Sequence, residues 1–122
     1  MNGETAGAVF NTLKALLTPY QSRLVVVHDS ADHYYLDTAF LMPNKKPLFF
    51  AAVKTGKRDI SFHLMPIYVF PDLLDTVPNT LRSRLQGKSC FHFSGLDAEQ
   101  QKALQQLVAH SVERYRQAGY LG

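Results

Sequence analysis

Five histidines and a single cysteine are the side chains of this sequence with the most chemistry to offer, and their spacing sorts them into three candidate sites. His28 and His33 bracket the stretch Asp29-Ser30-Ala31-Asp32. If that stretch turns between two antiparallel strands, the two imidazoles face each other and Asp29 or Asp32 supplies a third ligand. Zinc or iron accepts such a donor set. The plainer reading, a pair of solvent-exposed histidines at strand ends, is favoured because the spacing matches no diagnostic metal motif.

Cys90 and His92 lie two residues apart and project from the same face of an extended segment. A thiolate beside an imidazole is a nucleophile. Side chains at i and i+2 of a strand sit ~7 Å apart, however, which is too far for a hydrogen bond, so a small buried cysteine beside a partly exposed histidine is the simpler expectation. A third set gathers His63 and His92 on one sheet surface, with Lys54, Lys57, Arg58, Lys88 and Arg82 as a rim. That would form an anion-binding patch; its alternative is a solvated face with ordinary charges.

The familiar catalytic signatures are missing. The glycines at 56, 87 and 95 stand alone, and there is no G-x-S-x-G, H-E-x-x-H or Walker sequence. The formal net charge is +3, from 13 Lys+Arg against 10 Asp+Glu, which permits an anionic partner without demanding one. Lys45 and Lys46 fall at one end of the expected sheet and Lys57 and Arg58 at the other, so the chain has no basic stripe for a duplex. Tyr34, Tyr35 or Phe50 could stack bases, but strand aromatics more often serve a core, and nucleic acid is not the expected partner.

These side chains must be positioned by one domain spanning residues 1–122. A hydrophobic fraction of 46% with 19% charged residues suits a globular chain. No run approaches the ~18 apolar residues of a membrane span. Met1 to Gly7 lacks the basic-then-apolar pattern of a secretory leader. With one cysteine and no disulfide, these features predict a cytoplasmic protein.

Val9, Phe10, Leu13, Leu16 and Leu17 recur at helical steps and predict a helix from Glu4 to Leu17, stopped by Pro19. Four strands follow: Arg23 to His28, His33 to Met42, Leu48 to Lys54 and Asp59 to Met65. In the second, Tyr34, Leu36, Thr38, Phe40 and Met42 share a face; in the third, Phe49, Ala51 and Val53; in the fourth, Ile60, Phe62 and Leu64. Connections this short join antiparallel neighbours, so the strands form a meander. Pro71 to Asp75 and Thr80 to Gln86 read as short helical segments, the second capped by Gly87. Lys88 to Ser94 alternates as a fifth strand. Asp97 and Gln100 stand at capping-box spacing before a helix whose stripe is Leu104, Leu107, Val108, Ser111, Val112 and Tyr115, ended by Gly119. The expected fold is α+β: a mainly antiparallel sheet of about five strands with the N- and C-terminal helices packed on one face. Tyr35, Phe50, His63 and His92 then occupy the uncovered face.

The segments Leu48-Phe49-Phe50-Ala51-Ala52-Val53-Lys54, Lys57 to His63 and Gly87-Lys88-Ser89-Cys90-Phe91-His92-Phe93 resemble the YdhG-like family of domains of unknown function. The likeness runs over roughly residues 48 to 116. It implies a compact α+β domain, and for some members a frataxin-like iron-chaperone role. Such a role needs gathered carboxylates, whereas here the first helix carries only Glu4 and the aspartates are scattered.

Three functions follow as expectations. The first is a non-enzymatic binding module that holds a small anionic ligand or a protein partner, including a second copy of itself, on the uncovered sheet face. The second is an intracellular iron or zinc carrier. The third is a small enzyme using Cys90 or His63.

Overall fold

The computed structural model describes residues 3–122. Helix α1 (Gly3–Leu17) runs into a 3-10 segment (Thr18–Arg23), where Pro19 sits in the first turn. Strands β1 (Val25–Asp29), β2 (His33–Leu41), β3 (Pro47–Thr55) and β4 (Ile60–Leu64) form the expected meander. A one-turn helix α2 (Met65–Val69), a 3-10 turn (Pro71–Leu74) and α3 (Asn79–Arg82) lead to a hairpin of β5 (Leu85–Gln86) and β6 (Cys90–Phe93). Helix α4 (Ala98–Gln117) closes the chain. All six strands lie in one antiparallel sheet of order β1-β2-β3-β4-β6-β5.

One strand therefore exceeds the expectation. Thr80 to Gln86 is not a continuous helix: it ends at Arg82, and Leu85 and Gln86 pair with Phe91 and Cys90. Gly87 is not a helix cap but takes a φ of 72° in the hairpin turn, a conformation glycine adopts without strain. Two paired residues are too few to show a period in sequence.

The inward residues of the sheet and the stripes of the two long helices make one core. Ile60, Phe62, Leu64, Leu104, Val108 and Tyr115 are buried together with Phe10, Leu13 and Leu17. Asp97 caps α4 as its spacing predicts: its carboxylate accepts from the Gln100 backbone at 2.7 Å, and the Gln100 side chain accepts from the Asp97 backbone at 3.1 Å. Both long helices pack on this face of the sheet.

The β2–β3 register breaks where it matters most for the other face. Leu36 pairs with Ala51 but Asp37 pairs with Phe49, which leaves Phe50 as an extra residue. Such a bulge reverses the alternation beyond it. Ala51 and Val53 face the core as expected, but Phe49 does not; Phe50 takes the core position and meets Tyr115 with ring centroids 5.8 Å apart. Phe40 also departs from its expected face-mates: Tyr34, Leu36 and Thr38 are buried, while Phe40 stays exposed against Tyr120.

Edge strand β1 leaves Val25, Val26 and Val27 exposed, with the register slipping at Val27. Bulges of this kind turn an edge away from new pairing. Among the described residues no helix is long and apolar enough to cross a membrane.

Candidate functional site: the open face of the sheet

The register places His33, Lys54, Ser61 and His92 in one cross-strand row, and His28, Tyr35, Ala52, His63 and Cys90 in the next. These side chains point away from the helices. On this face the rings form a continuous ladder. His28 and His33 stack at 4.7 Å between centroids, and both meet Tyr35 edge-on at 5.9 Å. Tyr35 stacks on Phe49 at 4.7 Å, and Phe49 meets the edge of His63 at 4.9 Å. Ala52 makes the ladder feasible: its single methyl leaves room for the neighbouring rings to close over it, and it is 8% exposed. His33, Tyr35, Phe49 and His63 remain half-buried. The bulge is thus what sets Phe49, rather than the expected Phe50, between Tyr35 and His63.

Of the metal set, His28 and His33 come together as their spacing predicts. Asp29 does not join them; it turns to the helix side, where the Lys14 ammonium lies 2.6 Å from its carboxylate. Asp32 accepts from the Ser30 hydroxyl at 2.9 Å. The imidazole planes are within 21° of parallel, and ring lone pairs lie in those planes, so they do not converge on one point. Among the described residues no three His, Cys, Asp or Glu side chains gather as a metal group. The His33 pKa is pushed down, chiefly by burial and then by the charges of His28 and Lys54.

The basic set divides. His63 and His92 do share the open face, but Lys57 and Arg58 lie in the β3–β4 turn while Lys88 lies in the β5–β6 turn at the other end of the sheet. Arg82 is drawn off altogether, donating to the Leu74 carbonyl at 2.6 Å. On the face itself, Lys54 is balanced by Asp37 and by Asp59, whose carboxylate lies 3.2 Å from Nδ1 of His92. Burial raises the Asp37 pKa and lowers that of His63. One anion-binding patch built from Lys54, Lys57, Arg58, His63, Lys88 and His92 is not assembled.

Ser89 is a contact that sequence spacing does not reveal. Its hydroxyl is 2.8 Å from Nε2 of His63 across 26 residues of chain, because β4 pairs with β6. Cys90, not two residues from its histidine but on the neighbouring strand, pairs directly with His63. The Ser–His geometry is that of a nucleophile and its base. No carboxylate among the described residues bonds the other ring nitrogen of His63, however, so an imidazolium formed there has no stabilising partner. Burial also pushes the Cys90 thiol up, with Asp59 adding to the effect, which is the reverse of an activated thiolate.

No family model, curated protein or solved structure matches this chain.

Proposed function

We propose that the protein is a non-enzymatic binding module whose open sheet face seats a protein surface, with a second copy of the chain as the occupant. The ring ladder from His28 to His63 carries this reading. It crosses four strands, is only half-buried, and combines aromatic area with few formal charges, the composition of an interface centre. The charges that do lie on the face are of both signs: Lys54 against Asp37 and Asp59. A face of mixed sign is a poor trap for a free anion but can match itself across a two-fold axis, where residue i meets residue j and j meets i.

The test is light scattering coupled to size exclusion on the wild-type chain and on Tyr35→Asp. A dimer that Tyr35→Asp converts to a monomer, with unchanged far-UV circular dichroism, supports the reading. A wild-type monomer at high micromolar concentration, or a dimer indifferent to Tyr35→Asp, overturns the second-copy assignment.

A metal-carrier role is the second reading, favoured by the direct contact of His28 with His33. Coordination would require one ring to rotate out of the stack. Calorimetric titration with zinc and ferrous iron decides it: stoichiometric binding that disappears in the His28→Ala, His33→Ala double variant assigns the carrier function, and no heat above dilution removes it.

A further inference from the structure

A concavity lies apart from the ring ladder, where α2 and the following 3-10 turn meet the β5–β6 hairpin. Its volume is about 340 Å³, the lower end of the range of small-molecule sites. Ile67, Leu74 and Leu85 supply apolar walls, and Tyr68 and Lys88 stand at its mouth. Strand β5, at the sheet edge, is only two residues long, and its Leu85 forms one wall of the groove. Ile67 is 1% exposed, whereas Tyr68 is 53% exposed. The exposed Tyr68 ring thus stands beside a buried apolar floor.

The charge at this groove has one sign. Among the described residues Lys88 is the only charged side chain lining it. Its ammonium makes no hydrogen bond or ion pair among the described residues and rests 5.9 Å from the centroid of the Tyr68 ring. Arg84, the nearest cationic residue by chain, does not line the groove, and Arg82 is already committed to the Leu74 carbonyl. An unpaired cation held over an aromatic ring, above an apolar cleft, selects an apolar body with one anionic head.

We infer that this groove is a binding site for a small amphiphilic carboxylate, its alkyl or aryl body lying against Ile67, Leu74 and Leu85 and its carboxylate paired with Lys88. The site is independent of the open-face interface: none of the five ladder rings lines it.

The experiment is a nitrogen-15 chemical-shift titration of the full chain with octanoate, and in parallel with octylammonium, which has the same tail and the opposite charge. Octanoate should give saturable shifts at the Tyr68, Leu85, Gly87 and Lys88 amides, and octylammonium should bind there at least about tenfold more weakly. Lys88→Gln should weaken octanoate by about tenfold, as expected for the loss of a charge-assisted contact. No saturable shift at those amides, equal binding of the two heads, or undiminished octanoate binding by Lys88→Gln overturns the inference. If Lys88→Gln does not fold, the comparison of the two heads on the wild-type chain decides alone.

Discussion

Substituting the two adjacent phenylalanines of β3 separately tests the bulge on which the open face depends. Phe50 is fully buried and packs against Tyr115. Truncating it to alanine removes a ring from a closed core and leaves a cavity, a change that costs about 3–5 kcal/mol. Phe49 is half-buried on the opposite face and makes two ring contacts, to Tyr35 and His63. Each aromatic pair is worth about 0.5–1.5 kcal/mol beyond its area, so with two such pairs Phe49→Ala should cost about 1–3 kcal/mol. With a urea m-value of roughly 1.5 kcal/mol/M, Phe50→Ala lowers the unfolding midpoint by roughly 2–3 M and Phe49→Ala by roughly 1–2 M. If Phe50→Ala proves unfolded in buffer, Phe50→Leu gives a smaller cavity and a measurable midpoint. Equilibrium urea unfolding followed by circular dichroism reads both, and the m-values should stay near the wild-type value. A larger loss at Phe49 than at Phe50 would mean strict alternation holds through β3. The ring ladder would then have no central member, and the proposed interface would fall with it.

Two further outcomes follow from individual contacts. His63 is held below the ordinary imidazole value of 6.5 by burial, so its folded pKa lies under its unfolded one. The associated stability is present above pH 6.5 and is lost as the pH falls toward the folded pKa, because the unfolded chain takes up the proton first. Thermal melts between pH 7.5 and 5.5 should show a steeper loss for wild type than for His63→Gln; parallel curves would remove His63 from this role. The Tyr115 hydroxyl donates to the Phe49 carbonyl at 3.0 Å and ties α4 to the bulge. Tyr115→Phe should therefore cost about 1 kcal/mol, and an unchanged urea midpoint would show that the tie is not needed.

Much of this architecture is written in local pattern. The helical spacing of Val9, Phe10, Leu13 and Leu17, the alternation of Ile60, Phe62 and Leu64, and the Asp97–Gln100 cap each fall within a few residues. The physics that reads them, burial of one face and satisfaction of a helix end, is equally local. The facing of His28 and His33 belongs to the same class, since a short turn between paired strands suffices to bring them together.

The make-up of the open face was decided by contacts distant along the chain. Phe50 opposes no partner in β2 only once the two strands have settled their register against the core, and that choice carries Phe49 to the open face. His63 reaches Ser89 and Cys90 because β6 inserts beside β4 after an excursion of 25 residues, from Met65 to Ser89. The same excursion contains the two-residue strand β5, whose Leu85 lines the groove beside Lys88. Alternation in sequence states that two faces exist. Which side chain occupies each face at a bulge, and which strand lies alongside, depends on the packing of the whole core, and no segment read alone contains that information.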